Sequence, residues 1–236
     1  MNKTSRGRVW EIDFLRGIAL TLMIIFHLFY DLNEFYGYAV PYNRGIYYLT
    51  GKVSGTLFIM ISAVSASFSR NNPRRAGGIL AAAAVITVVT HIYDPNYGIK
   101  FGILHFLGTA VLLYPFFRRL DKYILAFLGT IIIILGWYFD RIPVDNNFLF
   151  LFNLTAGSWI SADYYPLFPW LGVFLYGISL ARFLYPQKKS LLKFTPQRDF
   201  LGFLGRHTLV VYLAHQPLLI LIIGVVQALA GNIPSN

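Results

Sequence analysis

Arg16 and His27 stand eleven positions apart in one apolar run, and they are the residues here whose types and spacing most directly suggest chemistry. A guanidinium can hold phosphate oxygens through paired hydrogen bonds. An imidazole ionises near neutrality and can take a proton from a reacting group. On an α-helix eleven steps come within roughly 20° of three whole turns, so the two side chains share a face about 16 Å apart along the axis. Asp13 and Asp31 fall within about 40° of that stripe by the same geometry. Gly17 leaves room beside Arg16 for a close approach of backbone or ligand. Ionisable groups inside a membrane span are costly and usually functional. A long phosphorylated carrier laid along this ridge would have its phosphates at the Arg16 and Asp13 end and its reactive tip near His27 and Asp31.

Further candidates come from other apolar runs. His105, in Gly102-Ile103-Leu104-His105, lies near the outer end of its run at a depth similar to that of His27, and is a second candidate catalytic residue. His91 closes another run at the same side and reads as interfacial. Tyr212 and His215 are spaced i, i+3 and share a helix face. Counted from the start of their run, they lie in the inner half of the membrane, nearer Arg16 than His27, which groups them with the cofactor end. Pro217 is expected to loosen the helix just past Gln216 and free backbone carbonyls. No two histidines have the i, i+4 spacing of a helical metal site, so no metal is expected. With no cysteine in the chain, disulfides and thiolate catalysis are excluded.

The elements that must position these residues are membrane helices. The 236 residues are 56% hydrophobic and 13% charged, against roughly 25% charged in soluble domains. Apolar runs long enough to cross a bilayer are expected at 12–32, 51–68, 77–92, 98–117, 123–139, 165–185 and 208–229. The fold class is therefore all-α, a multi-pass transmembrane helical bundle of about seven helices forming one domain over 1–236. The run at 77–92 is short and rich in Ala, Val and Thr, as for a helix that is little tilted or tucked inside the bundle. The stretch from Asp163 to Trp170 carries Pro166 and Pro169, so the sixth helix should start late or broken. Of the 20 Lys and Arg residues, fifteen fall on one side of this arrangement, including Lys3, Arg6, Arg8, Lys193 and Arg198, and four on the other. That asymmetry puts the amino terminus in the cytoplasm and the carboxyl terminus outside. The net charge of +10 thus belongs to membrane loops and points to no nucleic acid.

Several stretches resemble a known family. Glu11-Ile12-Asp13-Phe14-Leu15-Arg16-Gly17 through Phe26-His27 resembles the first helix of transmembrane acyltransferases, with the Arg-x10-His signature of the acyltransferase-3 family. Asp94-Pro95-Asn96-Tyr97, Phe101 to Gly108, Phe168-Pro169-Trp170-Leu171-Gly172 and Gly205-Arg206-His207-Thr208 to His215 are similar to the heparan-alpha-glucosaminide N-acetyltransferase catalytic domain. The resemblance implies acyl transfer from cytosolic acetyl-CoA to a sugar or sugar-lipid amine or hydroxyl across the bilayer. It assigns Arg16 to the coenzyme phosphates and His27 to the catalytic base. The loop 33–50 has no histidine, whereas the animal enzymes carry their proposed active histidine there. Two mechanisms stay open: direct attack by a base-activated acceptor, as in the acyltransferase-3 pattern, and a covalent acetyl-histidine. The expected location is a bacterial cell (inner) membrane. Gly51-x-x-x-Gly55 permits close packing within or between chains, so a homodimer is one expectation. The alternative reading is a small transporter or channel with the polar ridge as its pathway, against which stands the lack of an internal repeat.

Overall fold

The computed structural model describes residues 9–96, 98–192 and 199–230. Lys3, Arg6, Arg8, Tyr97, Lys193 and Arg198 lie outside the described residues. The helices are α1 (Trp10–Glu34), α2 (Gly45–Phe68), α3 (Asn72–Tyr93), α4 (Ile103–Phe117), α5 (Lys122–Phe139), α6 (Leu167–Leu184), α7 (Phe200–Arg206) and α8 (Thr208–Leu229). A short 3-10 turn at Phe150–Phe152 interrupts the loop before α6. Among the described residues the architecture is all-helical, and six helices (α1, α2, α3, α5, α6 and α8) are long and apolar enough to cross a membrane.

Three expectations about the spans need correction. α4 begins at Ile103, five residues later than expected, and its 15 residues rise only about 22 Å at 1.5 Å each. The preceding residues instead form an extended segment whose Phe101 bridges Tyr164. α3 is 22 residues long because the Asn71 side chain accepts the Arg74 N–H at 3.3 Å and starts the helix upstream. It is not tucked inside, since Val85, Val88, Val89 and Ile92 are all exposed. The helix α7 was not expected at all. Its Asp199 carboxylate accepts the Gly202 N–H at 2.7 Å and caps its first turn. The late start of the sixth helix does appear: α6 begins at Leu167, with Phe168 in non-helical geometry.

The chain divides into two compact units, residues 1–58 with 192–236, and residues 59–191. In the second unit, α3 packs on α4 where Gly108 meets Leu80. α5 and α6 meet where Gly129 and Gly172 each face the other's carbonyl. The Arg182 guanidinium donates to Leu120 O and to Arg118 O, the latter at 2.6 Å, closing the carboxyl end of α4 where carbonyls lack helical partners.

In the first unit, α7 and α8 lie along α1. The approach of α7 is backbone to backbone. A Cβ on Gly17 would overlap the Leu201 carbonyl, and one on Gly205 would overlap the Asp13 carbonyl. Ser54 of α2 donates its hydroxyl to Ala19 O at 2.9 Å on another side of α1. Gly17→Ala or Gly205→Ala should therefore cost about 1–3 kcal/mol, the usual range for overpacking. Gly77 and Gly78 meet nothing within 4 Å, and Ala there should be neutral or stabilising by up to about 1 kcal/mol. Unfolding midpoints in detergent micelles measure both, and equal midpoints for the two classes of variant would contradict this packing.

Candidate functional site

All four polar residues of the α1 stripe face the α7–α8 segment or each other. At one end, Arg16 Nη1 donates to Asp13 Oδ1 at 2.8 Å and to Gly205 O at 3.0 Å. Gly205 belongs to the last turn of α7, whose carbonyls carry the negative end of the helix dipole. The guanidinium is thus oriented from two sides. The same carbonyl accepts the Thr208 hydroxyl at 2.6 Å where the chain turns into α8.

At the other end, His27 Nδ1 lies 2.9 Å from Met23 O. A carbonyl only accepts, so Nδ1 carries the proton and Nε2 keeps its lone pair. His215 repeats the arrangement, with Nδ1 donating to Tyr212 O. The two imidazoles stand edge to face, with ring centres 4.8 Å apart and planes at 76°. Asp31, one turn beyond His27, is fully buried, and its Oδ1 accepts from Gln216 Nε2. Among the described residues, Asp31 Oδ2, His215 Nε2 and Gln216 Oε1 are buried without a hydrogen-bond partner. Tyr212 lies beside His215, ring centres 5.4 Å apart.

The structure therefore moves Tyr212 and His215 away from the Arg16 end. Apolar spacing alone puts the membrane edge at Thr208. Instead α7 carries the chain along the first turns of α1, so α8 begins at the depth of Asp13 and Gly17. The ten residues from Gly205 to His215 then keep pace with the eleven from Arg16 to His27, because the junction at His207 (φ −108°, ψ 25°) is not helical. The ridge is also not continuous: between Arg16 and His27 the same stripe presents Leu20 and Met23, both buried. Pro217 does not break α8, which runs through it. Gln216 and Gly205 join the site although sequence reasoning did not select them; the signal available was their place beside His215 and in the Gly205-Arg206-His207-Thr208 turn. A depression of about 310 Å³ in this unit lies on α2, lined by Leu49, Lys52, Val53, Thr56 and Leu57, and holds none of these residues.

His105 lies in the other unit and has a different character. Its Nδ1 accepts the Gly102 N–H at 3.2 Å. Thr87 donates its hydroxyl to Ile99 O at 2.8 Å, so at 3.1 Å His105 Nε2 must donate to that hydroxyl. Both ring nitrogens are engaged in closing the start of α4. Asp163 completes that cap, Oδ2 accepting the Ile103 N–H at 2.8 Å. Burial pushes the Asp163 carboxyl up from 3.8 to about 6, against the pull of that N–H.

The sign follows. The folded chain holds this proton more tightly than the unfolded chain, so stability is highest below about pH 4 and falls as pH rises to about 6. Asp163→Asn keeps an oxygen for Ile103 but cannot ionise. Across pH 4–6 the wild type should lose thermal stability relative to this variant, and parallel midpoint curves would contradict the assignment.

The family model for heparan-alpha-glucosaminide N-acetyltransferase, catalytic, matches residues 8–217, a stretch that includes Asp13, Arg16, His27, Asp31, Gly205, Tyr212, His215 and Gln216. No curated protein and no solved structure matches the chain.

Proposed function

Since this chain belongs to the heparan-alpha-glucosaminide N-acetyltransferase catalytic family, we propose that it is a multi-pass membrane acetyltransferase that takes acetyl from cytosolic acetyl-CoA and passes it to a sugar or glycolipid amine or hydroxyl at the opposite face. The orientation rests on the Lys and Arg asymmetry of the loops. The observation that carries the chemistry is the placement of His27: its Nδ1 lies 2.9 Å from Met23 O, which in the neutral ring leaves Nε2 with its lone pair beside His215.

In this reading His27 Nε2 takes the proton from the acceptor as its nitrogen or oxygen attacks the thioester carbonyl. The carbon–sulfur bond breaks, the sulfur leaves as thiolate, and it takes up the proton as coenzyme A thiol. Arg16, held in place by Asp13 and by the end of α7, contributes positive charge for the coenzyme phosphates. Asp31, one turn beyond His27 on α1, is held by Gln216. Tyr212 and His215 join the histidine end, and His105, with both nitrogens engaged, is assigned to the α4 cap.

His27→Asn keeps an N–H donor for Met23 O and removes the basic nitrogen. Its kcat should fall about 100- to 10,000-fold, the usual contribution of a general base, measured as labelled acetyl passed from acetyl-CoA to glucosamine as probe acceptor. Arg16→Ala should raise KM for acetyl-CoA about tenfold or more, the loss of one charge-assisted contact, and leave KM for the acceptor within twofold. Full activity of the first variant rejects His27 as the base; an unchanged coenzyme KM in the second removes Arg16 from the coenzyme site.

A further inference from the structure

The three buried atoms left without partners in the α1–α8 cluster are Asp31 Oδ2, His215 Nε2 and Gln216 Oε1. With both histidines donating through Nδ1, each is a hydrogen-bond acceptor; so is the remaining nitrogen of His27. The one amide donor nearby, Gln216 Nε2, is spent on Asp31. The cluster is rich in lone pairs and short of hydrogens. His215 is only 7% exposed and Asp31 fully buried, so water offers little compensation. A single proton would relieve most of this. Two imidazoles joined by an N–H···N bond have ring centres about 5 Å apart; these stand at 4.8 Å with no hydrogen bond yet between them, the gap an added proton would close.

We propose that His27 and His215, both neutral before the reaction, act as a pair that takes up one proton and shares it. His27 is the catalytic member and His215 the positioning residue that shares its load. The role in catalysis rests on the acetyltransferase reading above. The acceptor's N–H or O–H bond breaks as its heavy atom bonds to the thioester carbon. The proton passes to His27 Nε2 and is shared with His215 Nε2, and the departing sulfur takes it as the carbon–sulfur bond breaks. No external oxidant or reductant is required. Asp31 sits one turn beyond His27 on α1, and its carboxylate accepts from Gln216, which follows His215 in the chain. Among the described residues, the pair also faces Tyr30 of α1, ring centre 6.4 Å from His27, and Tyr212 of α8.

The chain has five histidines, few enough to resolve in full. Histidine-labelled full-length protein in detergent micelles is titrated and followed by nitrogen NMR, with His27→Asn and His215→Asn assigning the two rings. Asn retains the N–H donor to the backbone carbonyl, and His207→Asn is the control. Both rings should respond to one shared proton uptake, and replacing either should displace the other's titration by about one pH unit, the coupling expected for interacting sites. Independent titrations, unmoved by the partner's replacement, overturn the pairing whether or not the chain transfers acetyl groups. In turnover, His215→Asn should lower kcat about 10- to 100-fold, less than the full contribution of a base, with the acetyl-CoA KM within twofold. It should also straighten a curved dependence of rate on deuterium fraction. Curvature retained in that variant removes the shared proton from catalysis. A wild-type chain that releases no coenzyme A thiol overturns the acetyltransferase reading, while the spectra alone decide the pairing.

Discussion

The contact on which the first unit depends is the one between α1 and α7 at Gly17 and Gly205. Two helices meet there with no side chain between their backbones. Glycine inside a helix weakens it by roughly 0.5–1 kcal/mol, and here that loss is offset by an approach no other residue allows. It sets the level at which the chain enters α8, and everything beyond follows in register: Arg16 beside Gly205, His27 beside His215, Asp31 beside Gln216, and the Tyr36 hydroxyl donating to Ile220 O at 2.7 Å. Misplacing α7 by one turn would move each pair about 5.4 Å out of step.

Two sets of buried polar groups, one in each unit, are used differently. In the unit of residues 59–191, His105, Asp163 and Arg182 spend their hydrogen bonds on helix ends, where backbone groups would otherwise lack partners. Their polarity is architectural. In the first unit, Asp31, His215 and Gln216 keep buried atoms unpartnered at about 1–3 kcal/mol each. The surrounding apolar packing, with Ala19 and Leu20 fully buried on α1, holds the cluster in place. Unrelieved polar burial of this kind fits a site whose missing partner is a proton or a substrate.

Much of this was legible from residue spacing. The apolar runs located seven helices, and the turn angle of a helix put Asp13, Arg16, His27 and Asp31 on one stripe. What spacing could not supply was depth. α7 has only seven residues, too few to register as a span, so spacing alone puts the membrane edge at the start of α8 and His215 nearer Arg16 than His27. Leu20 and Met23 share the α1 stripe, yet periodicity alone does not say whether such residues are core or gap. His105 looked as reactive as His27 because the difference lies in Thr87 and Gly102, which only folding brings to its two nitrogens.

The claim that the α1–α8 stripe handles a nucleotide-bearing thioester is tested most directly by thermal unfolding of the purified chain with and without acetyl-CoA. A ligand that binds the folded state alone, at a hundred times its Kd, adds about 2.7 kcal/mol of stability. The account predicts a higher midpoint for the wild type and none of that gain when Arg16→Ala and His27→Asn are combined. An unmoved wild-type midpoint, or the same gain in the double variant, would contradict it.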